Sequence, residues 1–145
     1  MASSNEILSY IEMCQREGTS LQRGMNFRLH GGHSIVLMSV RPGAPYDDEV
    51  LEDGAVLIYE GHDHAKFRGI RDPKALDQPE RYASGTLTEN GKFHAAAQRH
   101  KTIGDPPDLV RVYEKIKPGI WSYNGFFHLV DSWTQSDGYR DVFKF

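Results

Sequence analysis

Two runs in the chain, SIVLMSV (34–40) and AVLIYEG (55–61), are apolar at nearly every position, with no alternation of apolar and polar residues. A strand shows alternate side chains to opposite faces. Runs apolar on both faces therefore belong inside a sheet that is covered on both sides. This constrains the fold more than any other feature: a two-faced strand pair needs helices or further strands above and below it. Between the two runs lies PYDDEVLEDG (45–54), where Asp47, Asp48, Glu49, Glu52 and Asp53 crowd behind Tyr46. A solvated turn accounts for part of that acid. It does not account for Tyr46 and Tyr59 at its two ends.

The rest of the pattern supplies cover. SSNEILSYIEMCQREG reads as a short helix, with Ser3 and Glu6 at capping-box spacing, Ile7, Ile11 and Cys14 on one face, and Gly18 as its stop. TLTENGKFHAAAQRHK reads as a second helix with Thr88 as N-cap, ended by Gly104, Pro106 and Pro107. LVRVYEKIK alternates as a strand, and FFHLVDSW with YRDVFKF reads as a hairpin across Asp137-Gly138. RPGAPYDDEVLEDG reads as a loop, and His62 to Ser84 as a long polar one. Mostly strands with two helices predicts an α+β fold: a curved, barrel-like, mostly antiparallel sheet with flanking helices.

With 145 residues, 39% hydrophobic and 26% charged, residues 1–145 are expected to form a single domain. The net charge of −3 gives no global basic field for nucleic acid. The one cysteine, Cys14, excludes an intramolecular disulfide; with no targeting pattern at the N-terminus, a cytoplasmic location is expected. The chain stops on VFKF in mid-strand, so a longer protein with a following domain is expected.

Several chemistries find no support. The acidic run lacks the EF-hand order, the His pairs of HGGH (30–33) and HDH (62–64) come without cysteines, and no Walker loop, G-x-S-x-G or HExxH occurs. No cofactor, metal or catalytic residue is expected. Two tyrosines around an acidic loop can form a slot for a planar heterocycle, where stacking contributes ~1–3 kcal/mol per base. Cytosine offers an N4 amino donor, for which a carboxylate is the natural acceptor. Core tyrosines and solvated acids explain the same residues. A carboxylate pair such as Asp48 and Glu60 would suit a small nucleotide-processing enzyme, and a sugar- or metal-binding module would show metal dependence.

SIVLMSV, then PYDD, then DGAVLIYEG resembles the SRA (SET- and RING-associated) domain, with its serine-led apolar strand, tyrosine followed by acids, and strand ending Tyr-x-Gly. LTENGKF resembles the family's helix start, and VRVYEKIKPGIWSYNG its Val-Arg-Val segment, with Tyr123-Asn124-Gly125 for Tyr-Asp-Gly. The likeness runs from Leu29 to the end. RPGAPYDD with YEGHD is similar to the SRA domains fused to HNH nucleases in bacterial modification-dependent restriction endonucleases.

The resemblance implies an SRA/PUA-like fold and a non-enzymatic reader that flips 5-methylcytosine or 5-hydroxymethylcytosine out of duplex DNA. It implies Tyr46 and Tyr59 as the sandwich, Asp48 or else Glu49 as the N4 acceptor, Glu60 where the family has threonine, and Gly43 where backbone nears the base. Lys66, Arg68, Arg71, Lys74, Asn90, Lys92, Arg99 and Lys101 are the expected backbone or groove contacts. The loop from His62 to Ser84 is expected to enter a groove and fill the gap left by the flipped base. Expected partners are modified double-stranded DNA, a C-terminal nuclease domain of the same protein and a second copy of the full-length chain, with no membrane.

Overall fold

The computed structural model describes residues 6–29, 32–65 and 72–145. Its central sheet has the order β1-β7-β6-β3-β2, from Ile7–Ser9 (β1), Met25–Asn26 (β2), Ser34–Met38 (β3), Asp108–Lys117 (β6) and Ile120–Leu129 (β7). Only β3 and β6 run parallel; the other pairs are antiparallel. Two hairpins complete the strands: Glu49–Leu51 (β4) with Val56–Ile58 (β5), and Trp133–Ser136 (β8) with Asp141–Lys144 (β9). The helices are Tyr10–Glu17 (α1) and Glu89–Ile103 (α2). The expected α+β fold with a mostly antiparallel sheet and two helices is what forms. Among the described residues no helix is long and apolar enough to cross a membrane.

β3 is buried throughout because its two faces serve two cores. Val36 and Met38 join Met25, Tyr59, Phe93, Ala96, Ala97, Val110 and Val112 on the α2 side. Ile35 and Leu37 join Leu8, Met13, Leu21 and Tyr113 on the α1 side. The second core also holds Glu17, which accepts from Tyr113, Arg111 and, through the ring nitrogen, pairs with His33.

The sequence reading of α1 needs correction. The helix starts at Tyr10, and the capping box is Ser9 with Glu12 instead of Ser3 with Glu6. Residues 7–9 are drawn into β1 by pairing with β7, so Ile7 and Ile11 are exposed, and Met13 and Glu17 are buried instead. Gly18 does close the helix, in the left-handed region. FFHL belongs to β7 and pairs with β6, so the C-terminal hairpin is β8–β9 alone. Part of the expected acidic loop is strand β4. Its turn at Glu52, Asp53 and Gly54 runs through three consecutive positive φ values, which leaves Glu52 and Asp53 exposed at a tight corner.

A second run of pairing positions the site. Tyr59 exchanges both backbone hydrogen bonds with Phe145, at 2.9 Å each, and the Gly61 N–H donates to the Phe143 carbonyl at 2.9 Å. This zips the end of the β5 segment onto β9, so the β4–β5 and β8–β9 hairpins share one wall. Gly61 is required there: a Cβ would lie 2.4 Å from Asn90 Oδ1 and 2.9 Å from Gln78 Oε1.

Candidate functional site

Between the 41–48 loop and the β8–β9 hairpin lies an open cavity of about 530 Å³. Its walls include Gly43, Tyr46, Asp48 and Glu60, with Lys74, Gln135, Asp137, Arg140 and Lys144 opposite.

Asp48 is pinned at the back. One carboxylate oxygen accepts from the Ser39 N–H at 3.0 Å and the other from the Glu60 N–H at 2.9 Å, joining the end of β3 to the end of β5. Burial pushes its carboxyl up to about 6, against the pull of those two amides. Each oxygen keeps a second lone pair for another donor. Tyr46 is half-buried; its hydroxyl accepts from the Asp63 N–H at 3.3 Å, and burial raises its pKa. The Lys74 ammonium sits 4.1 Å from the centre of the Tyr46 ring and pairs with Asp63 at 3.0 Å. It also donates to the Pro45 carbonyl.

Glu60 is the hub of a buried polar network beside Asp48. It accepts from the Asp47 N–H at 3.1 Å, from Gln78 Nε2 at 3.2 Å and from Lys144 Nζ at 3.4 Å. Arg140 reaches it at 3.8 Å and pairs with Asp63 at 2.7 Å. Lys144, with a side chain only 2% exposed, also donates to the Asp47 carbonyl at 2.9 Å. Buried charges of both signs, each hydrogen-bonded, make a rigid polar floor.

Four of the six expected pocket residues meet here: Gly43, Tyr46, Asp48 and Glu60. Two fall elsewhere for one reason. Neighbours on extended backbone point to opposite faces. Glu60 faces the cavity, so Tyr59 faces away, into the α2-side core with Met38, Phe93 and Val112. Asp48 faces in, so Glu49 faces out and is exposed on β4. The two-tyrosine sandwich does not form in this structure.

The expected DNA contacts divide similarly. Lys66, Arg68 and Arg71 lie outside the described residues. Lys74 is in the cavity. Asn90 is fully buried: it accepts from the His62 N–H and donates to the carbonyls of His62 and Pro79, tying the start of α2 to the 62–79 segment. Lys92, Arg99 and Lys101 are on the surface of α2, paired with Glu89, Asp105 and Asp131. Among the described residues no group of three His, Cys, Asp or Glu side chains is placed to hold a metal ion.

Arg140, Lys144 and Gln78 were not expected from the sequence. The available signal was FKF (143–145), a lysine between two phenylalanines in a strand, where burial requires a partner.

No protein-family model matches the sequence, and neither does any curated protein. The fold is that of SRA domains. The chain resembles the SUVH5 SRA domain in its complex with hemi-methylated CG DNA, with a TM-score of 0.61, 22% identity, and 97% of this chain and 83% of that one covered. The same domain bound to fully hydroxymethylated CG DNA gives a TM-score of 0.58, 21% identity, and 97% and 84% coverage. Arabidopsis thaliana SUVH6 in complex with SAM gives 0.57 and 21%, over 98% of this chain and 24% of that one.

Proposed function

We propose that this chain is an SRA domain that binds duplex DNA carrying 5-methylcytosine or 5-hydroxymethylcytosine and flips the modified base into the Tyr46–Asp48–Glu60 cavity. In the full-length protein it directs an HNH nuclease domain to modified DNA, in the manner of a bacterial modification-dependent restriction endonuclease. The observation that carries the reading is Asp48: a carboxylate fixed by two backbone amides on the cavity wall, beside the ring of Tyr46. It has an acceptor for the cytosine N4 amino group, and it would repel the carbonyl that thymine has there. The ring supplies a stacking face, and Lys74 gives up that face when a base takes it. SRA domains of similar fold have been solved with methylated and hydroxymethylated DNA, which supports the same reading.

The test is a binding series on one duplex with cytosine, 5-methylcytosine, 5-hydroxymethylcytosine or a glucosylated base at a single site. The wild type is expected to prefer a modified base. Tyr46→Ala should lose ~1–3 kcal/mol of that affinity while binding unmodified duplex as before. Equal binding of all four duplexes by the wild type would sink the reading.

Acid gives a second check. The Asp48 carboxyl titrates near 6, above its ordinary 3.8. A raised carboxyl favours the protonated fold, so its contribution to stability is present at low pH and lost as pH rises through about 6. Base recognition runs the other way, because a protonated carboxyl is a poor acceptor for the amino group. The affinity of the wild type relative to Asp48→Asn is expected to fall below pH 6, by up to about tenfold per unit, in titrations from pH 7.5 to 5. A pH-independent ratio would remove Asp48 from base recognition. The same raised carboxyl suits a general acid; a nucleotide-processing enzyme would turn over free nucleotides, and a reader would not.

A further inference from the structure

Lys74 reaches into the cavity from a short, fixed support. Pro73–Ala75 makes a single helical turn, in which the Lys74 N–H donates to Asp72 Oδ1 at 3.1 Å. The carbonyls of Pro73 and Leu76, on either side, accept from the Arg140 guanidinium at 3.1 and 3.0 Å. The Arg140 side chain is only 3% exposed, so this turn is tied to the buried floor. From there the Lys74 ammonium crosses to the 41–48 loop. It sits 4.1 Å from the centre of the Tyr46 ring, donates to the Pro45 carbonyl and pairs with Asp63 at 3.0 Å. Lys74 and Tyr46 both line the cavity, so one ammonium joins two walls and lies on the ring face that a base would need.

The two lysines of the cavity differ in whether they can leave it. Lys144 is buried and serves as a counter-ion of Glu60. The Lys74 side chain is 47% exposed, so its ammonium reaches water by turning about its own stem. Its departure strands no buried charge. Asp63 keeps Arg140 at 2.7 Å and Gln78 Nε2 at 3.2 Å, and the Tyr46 hydroxyl keeps the Asp63 N–H. An ion pair this exposed holds weakly, which suits a contact that has to open.

We propose that Lys74 is a latch: in the free protein its ammonium occupies the stacking face of Tyr46, and a base enters the cavity only after the latch has opened. This rests on the base-flipping reading above. Apparent affinity falls with the fraction of protein in the binding-competent state. A modified duplex, which places a base in the cavity, meets that reduction. An unmodified duplex, held by its phosphates outside the cavity, does not. The latch therefore lowers the preference for modified DNA, and removing it raises that preference. A lysine that grips phosphate acts with the opposite sign, since its loss weakens both duplexes.

The test uses fluorescence anisotropy on the whole chain, with one duplex carrying either 5-methylcytosine or cytosine, over a series of salt concentrations. A 2-aminopurine beside the target base reports extrusion. Lys74→Ala is expected to bind the modified duplex about fivefold more tightly, the order of one partly exposed cation–π contact with its ion pair. Its affinity for the unmodified duplex should match that of the wild type. Lys74→Arg, whose planar guanidinium stacks better on the ring, should bind the modified duplex more weakly than the wild type. If the wild type extrudes the base and Lys74→Ala binds both duplexes more weakly, with a shallower salt dependence, Lys74 grips phosphate; the latch is then wrong and flipping stands. Weaker binding of the modified duplex alone would make Lys74 a contact to the base. Unchanged binding of both duplexes would mean that the ammonium does not compete with the base. Either result overturns the latch. If the wild type shows neither extrusion nor preference for modified duplex, both readings fail together.

Discussion

Replacing Glu60 with alanine is expected to lower the unfolding free energy by about 3–5 kcal/mol, the cost of breaking a buried ion pair from one side. Among the described residues Lys144 would keep only the Asp47 carbonyl at 2.9 Å and a distant Asp47 carboxylate at 3.9 Å. Its ammonium would be a buried charge without a close counter-ion. The Asp47 N–H and Gln78 Nε2 would each lose an acceptor as well. Arg140 suffers less, because Asp63 holds it at 2.7 Å. Urea unfolding of the wild type, Glu60→Ala and Glu60→Gln measures the effect. Glu60→Gln should lose less, since the amide oxygen still accepts. A loss below about 1 kcal/mol for Glu60→Ala, typical of an exposed pair, would mean that Lys144 swings out to water through the cavity mouth. The network also gives a reason for the Tyr-Glu-Gly that stands where the resembling family has Tyr-Thr-Gly: a buried lysine and arginine on the C-terminal hairpin need a carboxylate at that position.

What was readable in advance follows the range of the interactions. The caps of α2 are local, so Thr88 and Gly104 mark its ends in the sequence and in the structure. The Asp137-Gly138 turn is local too. The double-sided burial of β3 follows its unbroken apolar run, but the same pattern at 55–61 misleads: β5 lies in a two-stranded sheet with β4, with Val56 exposed and Leu57 and Ile58 only partly buried. The start of α1 was not readable. SSNEILSYIE holds two successive capping boxes, Ser3–Glu6 and Ser9–Glu12, and the choice between them is made by β7, which captures residues 7–9 as a strand. Strand β4 was hidden because it is only three residues long, within an acidic run, and places Glu49 and Leu51 on one face and Val50 on the other, too short for a period to show.

The site divides in the same way. Asp48 and Tyr46 were found because they are near each other in sequence and in an unusual acidic setting. Lys144 and Arg140 were missed because their partners are far off: Lys144 Nζ meets Asp47 across 97 positions and Glu60 across 84. Asn90 was misplaced because a polar residue at a helix start resembles a surface contact. Its burial depends on a tertiary knot with His62 and Pro79.

Tyr59→Ala is expected to cost about 3–5 kcal/mol of stability, as for truncating a large ring in a core, and not to alter the choice between modified and unmodified DNA. The ring packs with Met25, Val36, Met38 and Phe93 under α2, and burial holds its hydroxyl well above the ordinary phenol range. Its backbone is bonded on both sides to Phe145, so the residue cannot rotate toward the cavity without unzipping β5 from β9. Tyr59→Phe keeps the ring and should keep most of the stability. The measurement pairs urea unfolding with affinities for the modified and unmodified duplex, taken where each variant remains folded. Tyr46→Ala is the mirror case: its half-buried ring lies at the cavity, so preference should fall with little loss of stability. If Tyr59→Ala unfolds like the wild type and loses only its preference for modified cytosine, Tyr59 stacks the base. The alternation that sends Glu60 into the cavity and Tyr59 away from it would then be reversed in the bound state, and the pairing of Tyr59 with Phe145 would have to open when DNA binds.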